Sequence, residues 1–329
     1  MRSVPSSVVT TGDLTPRLRR LAEELAEAGL PPDESGDRRA ILLDEIDRAL
    51  RPAVHERRIP TTGTILDPTS DPATWEDGTG LAIARAPVVA ESTEGARRYA
   101  DGLSSWLVRQ AGHDETLLMF DRPAGSERDL IVMARTFGAT MVQRHPSGSV
   151  RVAGGFGILR WEGLAWHHEP PVSGWIDVLT ACSLDGHADV VTQLLEFAVH
   201  DLGATGIGAL LVYRPSTADG PPVEERLGIP PPLRVGVPFH LAPLRHALAQ
   251  IDGAAFFDAD GVLRRLGVRL VPSIGAEEAV DAFLGTRHTS GRRYSHDDPA
   301  ALVIAVSEDG PVTVFDGGGL RGRSPNDLA

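Results

Sequence analysis

The chain has 329 residues, 42% of them hydrophobic and 23% charged, a globular balance with room for two domains of ordinary size. Its formal net charge of −13, from 45 acidic against 32 basic residues, argues against a protein that coats nucleic acid through a basic face. One cysteine, Cys182, rules out an internal disulfide framework and a cysteine-rich zinc site, and reads as a small buried apolar residue. No charged start runs into an apolar core as in a signal peptide, and no apolar run approaches the ~20 residues that span a bilayer, so a cytoplasmic chain is expected.

In chain order, residues 1 to about 13 lack periodicity and read as a loose tail. Thr15 caps a first helix with Pro16 at its first position, Leu18, Leu21 and Leu25 on one face and Gly29 as its stop. A second helix follows over "DRRAILLDEIDRALR", with Ile41, Leu42, Ile46, Ala49 and Leu50 on its apolar side. The Pro, Gly, Thr and Asp of residues 59–80 predict a long connection. Beyond it come a strand in "GLAIARAPVVA", a helix across "GARRYADGLSSWLVRQAG", and strands in "TLLMF", "LIVMARTF", "SVRVAGGFGILRW" and "GLAWHHE". The glycines Gly154, Gly155 and Gly157 precede strand-like residues and no helix, so a bulge or tight bend is expected there in preference to a phosphate loop. His167, His168 and Glu169 look like metal ligands on paper, but adjacent histidines alternate faces on a strand and no third ligand can be assigned, which predicts a solvated strand end.

From about residue 176 the pattern changes. "DVVTQLLEFAVHDL" is a helix and "GATGIGALLVY" gives a glycine stop and a buried strand. Prolines fill residues 214–238, an irregular excursion. A short helix in "LAPLRHALAQ" precedes a strand, an Asp260-Gly261 turn and a second strand. "GAEEAVDAFLG" is the next helix, and two strands around a turn, "ALVIAVSEDGPVTVF", close the pattern.

Two short elements in this second half carry chemistry. Asp252 sits between a helix end and a strand, where a carboxylate binds a divalent cation near solvent, and Gly253 and Ala254 leave room beside it. In "GTRHTSGRR", Gly285 permits an unusual backbone turn, Thr286 and Thr289 offer hydroxyls, and Arg287 and His288 offer charge-assisted donors. A metal site together with an anion site is what phosphoryl transfer requires.

The ordered series "GALLVY", "IDGAAFF", "GVRLVPS", "GTRH" and "LVIAVSE" resembles the diadenylate cyclase domain of the DNA-integrity scanning protein DisA and its membrane-bound relatives, over roughly residues 176–316. The resemblance implies an α/β fold, a mixed central sheet flanked by helices, preceded by a smaller α/β or α+β domain; the expected division is 1–172, a sensor or regulatory domain, and 173–329, the catalytic domain. It implies that Asp252, with Gly253 and Ala254, forms the family's Asp-Gly-Ala motif, its carboxylate on the metal beside the attacking ribose 3′-hydroxyl. Arg287 and His288 match the Arg-His-Arg motif and would hold the triphosphate with Gly285 and Thr286. Leu270 would read the adenine edge through its backbone, Ser307 would lie near the terminal phosphates, and Glu308 is a candidate further metal contact. Thr289 stands where the family has a second arginine, a position that loses a bidentate phosphate donor.

The function implied is synthesis of cyclic di-AMP from two ATP, with Mg²⁺ or Mn²⁺, across a face-to-face dimer. The alternatives are a nucleotide-binding sensor that cyclises weakly or not at all, for which Thr289 speaks, and a cyclase for other nucleotides. The N-terminal domain is expected to read a small molecule or a protein partner, with DNA disfavoured by charge and no membrane involved.

Overall fold

In the computed structural model, the chain is described at residues 14–31, 36–54, 56–57, 59–88, 92–180, 188–216, 220–283 and 285–324. The tail expected at residues 1–13 and Cys182 lie outside these. The chain divides into two compact units, Met1–Pro171 and Val172–Ala329.

The first unit opens with α1 (Pro16–Glu27) and α2 (Gly36–Leu50). Thr15 caps α1 by accepting from the Leu18 N–H, and Pro16 begins the helix as its fixed φ favours. Gly29 has φ +98° and lies against the His168 ring, leaving no room for a side chain. There follow β1 (Thr62–Leu66), a 3₁₀ turn at Pro72–Thr74, α3 (Trp75–Thr79), β2 (Ile83–Pro87), α4 (Thr93–Arg97), β3 (Ser105–Arg109) and β4 (Thr116–Phe120). The unit ends with α5 (Glu127–Phe137), β5 (Thr140–Arg144), β6 (Val150–Gly154), β7 (Gly157–Trp161) and β8 (Trp166–Glu169). One mixed eight-stranded sheet has the order β2-β4-β3-β1-β5-β6-β7-β8. Alternation along β1 sends Leu66 into a core with α1 and α2, and Ile65 into a core with α3 and α5 on the other face.

Three expectations fail here. The connection expected over 59–80 contains β1, a central strand pairing with both β3 and β5. Its small polar residues suit that place: a side chain at Gly63 would strike the Gly102 backbone, and Thr64 donates its hydroxyl to buried Glu45 (2.9 Å). The helix expected over 95–112 ends within α4, because Asp101 accepts the N–H groups of Leu103, Ser104 and Ser105 (2.7–2.9 Å) and turns the chain into β3. "LIVMARTF" is helical. Ser126 and Asp129 form a capping box, Gly138 at φ +60° ends the helix, and Leu130, Met133, Ala134 and Phe137 are buried at helical spacing.

The second unit contains α6 (Ser173–Thr180), α7 (Ala188–Glu196) continuing as a π-helical turn at Phe197–Leu202, β9 (Ala209–Tyr213), β10 (Val223–Glu224) and α8 (Pro238–Leu248). Then come β11 (Ala254–Phe257), β12 (Leu263–Leu270), α9 (Ile274–Ala279), α10 (Gly285–Asp297), β13 (Leu302–Val306), β14 (Val312–Asp316) and an unexpected β15 (Gly319–Arg323). The mixed sheet runs β10-β12-β11-β9-β13-β14-β15. One face, with Leu211, Phe257 and Ile304, packs on α7, its π-helical extension and α8; the other, with Leu210, Phe256 and Val303, packs on Tyr294 of α10. Gly291 lets α10 lie close, since a Cβ there would come within 2.8 Å of Leu210 and 3.0 Å of Val303. Among the described residues no helix is long and apolar enough to cross a membrane.

Candidate functional site

A cavity of about 670 Å³ opens between α10 and the β9, β11 and β12 strands. The stretch Gly285–Asp297, rich in donors and cations, is one helix, and its first turn lines the cavity through Gly285, Thr286, Arg287 and His288. No acidic residue occupies that turn. The partial positive charge of a helix N-terminus therefore adds to the guanidinium, which makes this end an anion site.

Each donor has a structural cause. Arg287 lies along the start of β9, where Gly208 leaves space that any side chain would fill. Its guanidinium is 3.5 Å from the Val306 carbonyl and 3.8 Å from Glu308, an exposed carboxylate. His288 is buried, with its ring 6.0 Å from Phe283 and 6.3 Å from Phe315. Burial first, then Arg287 and Arg323, hold the imidazole below its ordinary value. Without a bound anion the ring is neutral at pH 7; an anion would favour its charged form.

Asp252 lies exposed at the mouth, between α8 and β11. Beside it Gly253 has φ +111°, and a Cβ there would come within 2.7 Å of the Gly267 carbonyl carbon. That close approach of two backbones, with Gly267 at φ +70°, forms the floor under Asp252. Ser307 and Glu308 enter from the end of β13, and Leu270 from the end of β12. The cavity thus brings together Asp252, Gly253, Ala254, Leu270, Gly285, Thr286, Arg287, His288, Ser307 and Glu308.

Thr289 is not among the lining residues. Its hydroxyl accepts from the Phe283 N–H (3.0 Å) and lies 3.1 Å and 2.9 Å from the Phe283 and Gly285 carbonyls, which ties down the entry to α10. Of the two nearby arginines, Arg293 lines the cavity, while Arg292 bonds the Gly318 and Asp281 carbonyls (2.9 and 3.3 Å) away from it.

The structure adds Gly208, Arg226, Gly267, Arg269, Glu277, Ser290 and Arg293 to the site or its walls. Thr286, Ser290 and Arg293 follow helical spacing, a signal legible once 285–297 is taken as a helix. Nothing in the sequence marks Arg226, which comes from the proline-rich excursion.

The pair His167–His168 reads differently from expectation. His168 bonds the Phe156 carbonyl (2.8 Å), and Glu169 is buried in place of marking a solvated strand end. No group of three or more His, Cys, Asp or Glu suited to a metal occurs among the described residues.

Two family models match. One described as "Probable sensor domain DACNK" covers residues 19–169, and one described as "DisA bacterial checkpoint controller nucleotide-binding" covers 196–320. The chain belongs to the diadenylate cyclase-domain proteins. Its cyclase domain is of the nucleotide-binding, DisA-like kind, and an N-terminal sensor domain precedes it. No curated protein matches the chain. Among solved structures, one titled a hypothetical membrane spanning protein from Bacillus cereus is 21% identical, with a match covering 45% of this chain and 74% of that one and a TM-score of 0.32.

Proposed function

We propose that the C-terminal unit of this diadenylate cyclase-domain protein condenses two ATP into cyclic di-AMP with release of two pyrophosphates. The observation that carries this reading is the convergence in one cavity of Asp252, the α10 N-terminus with Arg287 and His288, and Ser307. Arg287, His288 and the free N–H groups of the first helical turn hold the triphosphate. Their charge stabilises the pyrophosphate as it leaves. Asp252, exposed at the mouth, faces the space where a ribose 3′-hydroxyl must meet the α-phosphorus of a second nucleotide.

A divalent cation fits the donor set at the triphosphate end. Asp252 and Glu308 both line the cavity and could hold Mg²⁺ or Mn²⁺ jointly with phosphate oxygens, as expected of a cation that keeps few protein ligands. When bound, it would supply charge neutralisation at the phosphates and lower the pKa of the attacking hydroxyl.

One cavity takes one nucleotide, so cyclisation requires two chains with their sites opposed, each 3′-hydroxyl displacing pyrophosphate from the other's α-phosphorus. The sensor domain would then set how often two sites meet, in response to a small molecule or protein signal. The test is incubation of the full chain with ATP and Mg²⁺ or Mn²⁺ over a range of protein concentrations, with products identified by mass. Cyclic di-AMP formed at a specific activity that rises with protein concentration is expected. ATP that binds but returns unchanged at every concentration would leave a nucleotide-binding sensor in place of a cyclase.

A further inference from the structure

The cavity extends along α10 beyond the phosphate site. Next to Pro272, which lines it, Ser273 donates its N–H and hydroxyl to Asp297 in the last turn of α10 (2.7 and 2.6 Å), joining the chain after β12 to the helix. From Thr286 to Arg293 is seven residues, about 10 Å of helix axis. That suits a nucleotide lying with its triphosphate at the helix N-terminus and its base at this end. Here Arg293 of α10 and Glu277 of α9 line the cavity beside Leu270 and Pro272. One guanidinium nitrogen of Arg293 lies 3.6 Å from the Glu277 carboxylate, and Nε donates to the Val280 carbonyl (3.3 Å), which orients the group.

We propose that Arg293 and Glu277 read the N7 and C6 edge of the nucleobase and select adenine over guanine. This rests on the nucleotide-binding reading above. Adenine presents an acceptor, N7, beside a donor, the N6 amino group; guanine presents two acceptors, N7 and O6. A guanidinium and a carboxylate side by side are a donor beside an acceptor, the complement of adenine. Against guanine, the Glu277 carboxylate faces O6 with no proton between them. A pyrimidine has no N7 for Arg293. The N6 amino group carries two hydrogens, so a contact to Glu277 leaves one for the Leu270 backbone. The Arg293 and Glu277 side chains are 22% and 53% exposed, so the ion pair contributes little to the fold and its members can be replaced without unfolding it.

The experiment uses the full-length protein and 3′-deoxy-ATP, which cannot cyclise, as a labelled probe displaced by ATP, GTP and CTP. The wild type is expected to prefer ATP over GTP by roughly ten-fold or more, the worth of one mismatched polar contact. Glu277→Gln, whose amide can donate to O6, should reduce that preference by about ten-fold, chiefly through tighter GTP binding. Arg293→Ala should weaken both purine nucleotides relative to CTP. If neither variant alters the ranking while Arg287→Ala weakens all three nucleotides, base selection lies elsewhere and this inference is overturned. If the wild type binds no nucleotide, the reading on which it rests falls as well.

Discussion

Both units bury matched charge, the second at Arg214 and Asp298 (2.7 Å), but only the second also gathers charge around an open cavity. In the first, buried charge is matched within the fold. Glu45, 4% exposed, accepts from Arg97 (2.6 Å), Arg109 and Thr64, and Glu127, also buried, accepts from Arg160 (2.6 Å). In the second, Asp252, Arg287 and Glu308 converge on a cavity, where Arg287 lies as far as 3.8 Å from Glu308. Charge closed upon itself holds a structure, whereas charge converging on open space is arranged for something else to bind. Removing a matched carboxylate such as Glu45 should accordingly destabilise the first unit, and removing a cavity group such as Asp252 should leave the second folded but inactive.

Asp252→Asn should produce the largest effect, a loss of cyclic di-AMP formation of at least about 10²-fold, because it takes a charge from the reacting centre and little volume. Retained turnover in a folded variant would remove Asp252 from the chemistry. Glu45→Ala should act on the other side of the comparison, costing about 1–3 kcal/mol, because Thr64 loses its acceptor and Arg97 and Arg109 lose the buried carboxylate they share and keep only Asp44, Glu94 and Glu115. Denaturant unfolding followed by tryptophan fluorescence suits this test, since Trp75, Trp106, Trp161 and Trp166 lie in the first unit and only Trp175 in the second.

Glu169 is the exception in the first unit, buried with a carboxylate oxygen that has no hydrogen-bond partner. Burial pushes its carboxyl up to about 7 against the pull of Arg160, with Glu127 adding to the rise. The folded state therefore keeps a proton that the unfolded state releases. The associated stability, about 3 kcal/mol, is full below the ordinary glutamate value and declines as pH rises to about 7. Glu169→Gln should remove this decline and be the more stable protein at pH 8, as read from unfolding at pH 5 and pH 8; parallel curves would refute the assignment.

In the second unit the corresponding titration belongs to the ligand complex. His288 is held below its ordinary value, and bound phosphate should raise it, so binding takes up a proton and ATP affinity should rise as pH falls from 8 to 6. Wild type should show more of this dependence than His288→Asn, measured by calorimetry in parallel buffers, and equal dependence would remove His288 from the phosphates. The smallest effect belongs to Thr289→Ala, about 1 kcal/mol of stability from lost contacts to Phe283 and Gly285, with turnover nearly unchanged. Thr289→Arg, attractive from the motif alone, should destabilise without improving ATP affinity; a gain in affinity would return position 289 to the phosphates.

What could be read in the sequence divides along the same line. Strands with continuous apolar runs, such as Ala209–Tyr213 and Leu302–Val306, are legible because burial on both faces leaves no other reading. Asp252 and Arg287 are legible because short motifs concentrate unusual chemistry. Thr62–Leu66 is hidden, since it is central for reasons of close backbone contact and a buried hydroxyl partner, neither of which has a hydrophobic signature. The helix at 127–137 is hidden by Ile131 and Val132, whose β-branched side chains suggest a strand until the Ser126–Asp129 cap is noticed. Arg293 and Glu277 acquire meaning only when α9 and α10 are set side by side.

The contact at Gly291 ties catalytic geometry to the grain of the core. Helix α10 offers its donors at one end while its middle rests directly on Leu210 and Val303, with only a hydrogen where any other residue would have a carbon. A methyl group there would act as a shim, lifting the helix by a few tenths of an ångström and carrying Arg287 and His288 with it. The spacing between the cavity's donors and the sheet is thus machined by a buried residue outside the cavity lining, and the tolerance of the site is the tolerance of that packing.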